Sequence, residues 1–235
     1  ATSLDIKFMP LKFARHLANR ISHHCLFWGR SRLWAFFACL LVVTASIQPG
    51  MAADTALKSD IDNHYDEHLS ELFLWFHQNP ELGFLEHQTA ARLASELRAL
   101  GIDVTEGVGG TGLVGIIENG AGPLVLVRAD MDGLPILEES GLSYASRNRQ
   151  TNFDGEDVPV MHACGHDGHT AMLLGAAKLL ADSRGFDGTA IFIFQPAEEH
   201  GRGATAMMED GPFERFPGAA RHGIHTMASA PAGPR

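Results

Sequence analysis

The sequence has 235 residues, of which 45% are hydrophobic and 20% charged, a composition typical of a globular protein long enough to bury a core. Six of its 18 basic residues but only one of its 28 acidic residues lie in residues 1–53, so residues 54–235 carry a formal net charge of −15 with histidine neutral. A surface this acidic repels nucleic acid and anionic membranes, and we exclude both as partners.

The first 53 residues have the order of a secretory leader. A basic stretch precedes the uncharged run "LWAFFACLLVVTASI" at residues 33–47, and small residues follow in "QPGMAAD". This order is typical of a signal peptide, and the run is short for a transmembrane helix, which needs about 20 residues. We expect residues 1–53 to be a cleaved signal and the protein to be exported to the periplasm or secreted. The alternative is an N-terminal membrane anchor.

Two helices are predicted after a polar and irregular start at residues 54–63. Apolar residues recur at helical spacing in residues 65–80, and Pro80 ends that helix. Residues 87–101 form a second amphipathic helix, which ends at a glycine. Three histidines are expected at the surface: His77, His87 and His222.

Strands alternate with helices in the rest of the chain. A buried helix is predicted at residues 170–182 and a short one at 203–211. The predicted strands are "IDVTEGV" and "GLVGIIEN" around a Gly-Gly turn, Leu124–Val127, Ala190–Phe194, and a strand end in "HGIHTM". The alternation predicts an α/β fold, with a mixed, mostly parallel sheet flanked by helices.

The polar residues of chemical interest follow the apolar strands at their carboxyl ends, which is where sites form in open α/β sheets. We expect one rim of the sheet to gather Asp130, Asp132, Glu198, Glu199 and His225, joined by the loop at residues 161–169.

The segment "MHACGHDGHT" at residues 161–170 contains ligand types for a metal. On an extended loop Cys164 and His166 point to the same side, and they could ligate one ion or bridge two. A thiolate with an imidazole suits Zn²⁺ and other late divalent metals. The adjacent Glu198 and Glu199 should diverge, so that one is a ligand and the other a general base. His225 would add a further imidazole.

Other interpretations of these residues stay open. Cys164 could be a thiol nucleophile, with a nearby histidine as its base and Asp167 as the orienting group. Cys164 is the only cysteine beyond the leader, so no intramolecular disulfide forms there. A third possibility is an exported metal-binding or interaction module without catalysis. We expect His162 and His169 to support the loop rather than to bind metal.

Several long motifs occur in order from about Leu69 to the C-terminus. They are "FHQNPELGFLEHQTA", "GVGGTGLVG", "VRADMDGLPI", "VPVMHACGHDGHTAMLLGAA", "IFIFQPAEEHGRGATAMMEDG" and "GIHTMASAPAG". In these motifs the chain resembles the hippurate hydrolase and N-acyl-amino-acid amidohydrolase family, which are dinuclear metallo-amidohydrolases of the aminoacylase/carboxypeptidase superfamily.

The resemblance implies two divalent metal ions, zinc or manganese. Glu198 would be the catalytic base, and Asp132 would hold a ligand histidine. Asp130 takes the place of a ligand histidine in related branches and is not counted as a ligand. The implied metal ligands are Cys164, His166, Glu199 and His225.

The resemblance also implies a zinc-aminopeptidase-like catalytic domain that hydrolyses N-acyl amino acids or small peptides. Family members are longer, with a lid domain that helps to form homodimers and a further histidine ligand after it. We therefore expect residues 54–235 to be the N-terminal part of the catalytic domain, without the lid. The alternative is a truncated, catalytically inactive homologue that still binds metal.

Overall fold

A computed structural model describes residues 48–211 and 220–223. The apolar run at residues 33–47 and His225 lie outside the described residues. Within the described part of the chain, no helix is both long and apolar enough to cross a membrane. The chain divides into two units after Leu57, and the elements below belong to the second, apart from the first residues of helix α1.

The helices lie at the start of the described region and between strands. They are α1 (Gln48–His64), a π-helical turn (Tyr65–Leu69), α2 (Ser70–Gln78), α3 (His87–Ala99), α4 (His166–Ser183) and α5 (Gly203–Glu209).

Two of the helix predictions need correction. The irregular start expected at residues 54–63 is wrong because α1 covers it, and Lys58 and Asp62 form an exposed i,i+4 ion pair of the kind that supports a helix. Helix α4 begins at His166, four residues earlier than predicted. Gly165 precedes it with a φ of 80°, so the loop turns directly into the helix. His166 is therefore on a helix and not on an extended loop.

The strands are β1 (Asp103–Val108), β2 (Gly112–Asn119), β3 (Leu124–Asp130), β4 (Arg149–Thr151), β5 (Asp157–Pro159), β6 (Gly188–Gln195) and β7 (Ala220–Gly223). Five of them form a sheet in the order β1-β2-β6-β3-β7, and β4 pairs with β5 separately. Strand β3 is parallel to β6 and β7, whereas β2 is antiparallel to both β1 and β6. Only β2 is reversed, which confirms the mixed, mostly parallel sheet.

Helices cover both faces of the sheet. Strand β6 shows the division, because Phe192 and Phe194 pack with residues of α2, α3 and α4, whereas Ile191 and Ile193 pack on the opposite face with Met207 of α5. Successive side chains of a strand point to opposite faces. Because both faces are covered, β3 and β6 have the continuous apolar sequences of buried parallel strands.

The register of the parallel strands sets the position of the predicted site. Asp130 at the end of β3 lies opposite Gln195 at the end of β6. The segments that follow, with Asp132 and Glu198, therefore start from the same rim of the sheet.

His77 is buried, so its predicted surface position is wrong; His87 and His222 are exposed as predicted. The Nδ1 atom of His77 lies 2.7 Å from Asp167 Oδ2, and its Nε2 atom lies 3.2 Å from Glu138 Oε1. Burial alone would lower the pKa of His77, but these hydrogen bonds raise it above the ordinary 6.5. His77 thus joins α2 to the start of α4 and to the segment that carries Glu138.

Candidate metal centre

His166 is oriented by one carboxylate. Its Nδ1 lies 2.8 Å from the backbone oxygen of Asp132 and 3.2 Å from Asp132 Oδ1. Both oxygens are acceptors, so we assign the proton to Nδ1, which leaves the lone pair of Nε2 available. That Nε2 is buried and has no hydrogen-bond partner among the described residues.

Asp132 holds a second segment of the site with its other oxygen. Its Oδ2 accepts a hydrogen bond from the backbone N–H of Glu199 at 3.0 Å. Burial alone would raise the pKa of Asp132, but the hydrogen bonds from His166 and from the Glu199 backbone lower it below its ordinary value. Asp132 is therefore a buried, ionised link between helix α4 and the loop after β6.

Three potential ligand atoms meet beside this link. The Cys164 sulfur, a His166 nitrogen and a Glu199 carboxylate oxygen all lie within 4.8 Å of one another. Glu199 Oε1 is 3.9 Å from His166 Nε2, and Glu198 Oε2 is 3.7 Å from the same atom. The expected divergence of Glu198 and Glu199 is thus incomplete, because both carboxylates approach one imidazole.

Asp130 belongs to a second cluster, with His166 and His169. Its Oδ2 lies 2.8 Å from Arg128 Nη1 and its Oδ1 lies 2.6 Å from His169 Nδ1. The guanidinium already supplies a cation to this carboxylate. An ion in this second cluster would also need His166 Nε2 as a ligand, because Nδ1 of His166 is hydrogen-bonded to Asp132. Asp130 is better placed to anchor His169 and the start of α4 than to bind an ion.

The thiol of Cys164 lacks the surroundings of an activated nucleophile. A hydrogen bond to Glu199, together with burial and the neighbouring carboxylates, raises the pKa of the thiol to about 11. Reactive cysteines have a lowered pKa instead. Asp167, the proposed orienting group, pairs with His77, whereas His166 is held by Asp132.

A cavity of about 280 Å³ opens beside Glu199. Apolar side chains that include Leu82, Leu134, Pro135 and Phe153 line it. The cavity is large enough for a small organic group next to the ligand cluster.

Sequence reasoning missed Glu86, which is fully buried and hydrogen-bonded to the loop that carries Glu198. The available signal was a glutamate directly before helix α3 within the motif "PELGFLEHQTA". His225, the fourth predicted ligand, lies outside the described residues.

Residues 126–234 match the protein family described as Peptidase family M20/M25/M40. The hippurate hydrolase of Campylobacter jejuni is 47% identical over 152 residues, which are 64% of this chain and 37% of that protein. IAA-amino acid hydrolase ILR1-like 2 of Arabidopsis thaliana is 40% identical over 203 residues, which are 82% of this chain and 43% of that protein.

Among solved structures, the YXEP protein of Bacillus subtilis, described as a dinuclear metal binding peptidase from the M20 family, is similar with a TM-score of 0.62 and 34% identity. The alignment covers 72% of this chain and 45% of that one. The chain spans less than half the length of these relatives. The similarities confirm the resemblance predicted from the motifs: this chain carries a domain of the peptidase family M20/M25/M40.

Proposed function

We propose that this protein is a metal-dependent amidohydrolase that cleaves the amide bond of N-acyl amino acids. One observation carries the proposal: Cys164, His166 and Glu199 present ligand atoms within 4.8 Å of one another beside Glu198, at the carboxyl end of the sheet. The names of the relatives, a hippurate hydrolase and an IAA-amino acid hydrolase, support the substrate class.

The donor set fits a divalent metal. His166 Nε2 and Glu199 Oε1 are both buried without a hydrogen-bond partner among the described residues, and buried polar atoms of this kind need a partner. Thiolate, imidazole and carboxylate together are typical ligands of Zn²⁺, and Mn²⁺ is the alternative. We assign Cys164, His166 and Glu199 as ligands, with His225 as a further ligand and two ions in the complete site.

The chain's own residues divide the remaining work. When bound, the ions would polarise the amide carbonyl and acidify water. Glu198, whose side chain is about a quarter exposed, is the base that takes a proton from the attacking water and passes it to the leaving amine. Asp132 fixes the tautomer of His166 and the backbone of Glu199. The cavity beside Glu199 would take an apolar part of the substrate.

The experiment measures bound metal by mass spectrometry and hippurate hydrolysis in one sample of the purified chain. We expect about two ions per chain and turnover that a chelator abolishes. Glu198→Gln should lower kcat by about 10²–10⁴-fold and leave metal content unchanged. The matched control is Glu209→Gln, at an exposed position on α5, which should change neither quantity.

The outcomes separate the candidate functions. Full activity of Glu198→Gln would refute the base assignment. Metal binding without turnover in the parent chain would favour the inactive metal-binding homologue. Inhibition by iodoacetamide that is insensitive to chelators, in a chain without metal, would favour a thiol nucleophile at Cys164.

Export is part of the proposal. The order of basic, apolar and small residues in residues 1–53 supports a cleaved signal. Fractionation of expressing cells and N-terminal sequencing of the product test it. A product that keeps its first 53 residues in the membrane fraction would favour an anchor.

A further inference from the structure

The backbone just before the two glutamates has an unusual conformation. Ala197 has a φ of 47°, in the left-handed region that residues with a Cβ rarely adopt. Such a conformation persists only where the surroundings hold it in place. Ala197 directly precedes Glu198 and Glu199, so whatever holds it also sets the direction of those two side chains.

Glu86, from a distant part of the chain, makes one of the contacts that hold Ala197 in this conformation. Its Oε1 accepts a hydrogen bond from the backbone N–H of Ala197 at 2.8 Å, and its Oε2 accepts one from the hydroxyl of Thr111. The residue is fully buried, and a buried carboxylate is costly unless its bonds are made. Glu86 precedes helix α3 but makes no side-chain capping bond there.

The residues next to Glu86 contact the other end of the same loop. A Cβ added at Gly83 would lie 2.4 Å from His200 Cδ2 and 2.9 Å from Ala197 Cα, so only glycine leaves room. The ring of Phe84 stacks on His200 with the centroids 6.1 Å apart. We call residues 83–86 the cradle; it contacts the residues on both sides of Glu198 and Glu199.

We propose that Glu86 is a positioning residue, which fixes the backbone of residues 197–199 and thereby places the ligand Glu199 and the base Glu198. The proposal rests on the proposed function of that site. Asp132 holds the same loop at the N–H of Glu199. Glu86 therefore holds the backbone N–H of the residue before Glu198, and Asp132 holds that of the residue after it.

Two variants of similar size test this role. Glu86→Gln keeps an oxygen that accepts the Ala197 N–H, whereas Glu86→Met fills the space but leaves that N–H without an acceptor. We expect Glu86→Met to weaken Zn²⁺ binding about 10–100-fold, the usual effect of losing a residue that orients a ligand. Glu86→Gln should stay within about threefold of the parent chain. The KM for hippurate at saturating metal should change little in either, because Glu86 does not line the cavity.

The matched control is Glu81→Met. Glu81 is a buried glutamate of the same segment, but its carboxylate accepts hydrogen bonds from Gln88 and Thr89 at the start of α3. Its loss should lower the melting temperature and leave the Zn²⁺ affinity unchanged. A merely structural role of Glu86 would make the two methionine variants alike.

Zn²⁺ affinity is measured by competition with a chromophoric chelator on the full chain, at a temperature where circular dichroism shows each variant folded. Unchanged affinity in Glu86→Met, or an equal loss in Glu81→Met, overturns the proposal. If Glu86→Met does not fold, Gly83→Ala is measured in its place, because the added Cβ would push against Ala197 and His200 and displace the loop that carries the two glutamates. Unchanged Zn²⁺ affinity in Gly83→Ala also overturns the proposal. A parent chain that binds no Zn²⁺ refutes the proposed function instead.

Discussion

Glu86→Gln should change how stability depends on pH. Burial raises the pKa of Glu86 from the ordinary 4.5 to about 7 in the folded chain. The folded state then binds this proton more tightly than the unfolded state does. The resulting stabilisation is fully present below pH 4.5 and is lost as the pH rises through 7. At 1.36 kcal/mol for each tenfold difference in proton affinity, the total is about 3 kcal/mol.

Glutamine does not titrate, so the contribution of the Glu86 proton appears as a difference between two curves of unfolding free energy against pH, one for the parent chain and one for Glu86→Gln. Between pH 5 and pH 8, the free energy of unfolding of the parent chain should fall by about 2.5 kcal/mol relative to that of Glu86→Gln. Urea unfolding followed by circular dichroism, with a chelator present to remove metal, measures both. Glu209→Gln, at an exposed site, controls for the loss of one negative charge. Parallel profiles for the parent chain and Glu86→Gln would refute the assignment of a buried, proton-binding carboxyl.

Three further predictions concern other buried groups. His77→Phe removes both ring nitrogens that contact the buried carboxylates of Asp167 and Glu138, so urea unfolding at pH 7 should show a loss of about 3–5 kcal/mol. Asp132→Asn removes the charge that orients His166, and chelator competition should show Zn²⁺ affinity lowered about 10–100-fold. With a thiol pKa of about 11, metal-free Cys164 should react with iodoacetamide at pH 7.5 about a hundredfold more slowly than an ordinary cysteine thiol.

The periodicity of apolar residues predicted most of the helices and strands. The described site residues lie at one edge of the sheet, as their positions after the predicted strands indicated. The strands around the Gly-Gly turn occur where the alternation of residues places them, at Asp103–Val108 and Gly112–Asn119. The start of α4 was missed because the two glycines of "CGHDGH" indicated an irregular loop. In the structure only Gly165 has a positive φ, and Gly168 lies within the helix.

The burial of His77 and Glu86 could not be predicted from local patterns. Their hydrogen-bond partners lie 25 to 111 residues away in the chain, and helical spacing does not encode such pairs. A histidine after an apolar stripe and a glutamate before a helix are both compatible with a solvated surface. Only the folded structure shows that the side chains of His77 and Glu86 are buried and hydrogen-bonded to specific protein groups instead of water.

The charges around His166 favour a bound cation over a thiolate nucleophile. Carboxylate oxygens of Asp130, Glu198 and Glu199 lie within 3.9 Å of its Nε2. Without a metal, bound protons balance part of this negative charge. Burial alone would lower the pKa of His166, but its hydrogen bond to Asp132 and the nearby charges of Asp130 and Asp132 raise it. The pKa of the Cys164 thiol is raised as well. A thiolate at Cys164 would add another negative charge to the cluster, whereas a divalent ion would displace these protons and give the buried ligand atoms a partner. One cause, the excess of carboxylates, therefore makes the thiol a poor nucleophile and the same cluster a good metal site.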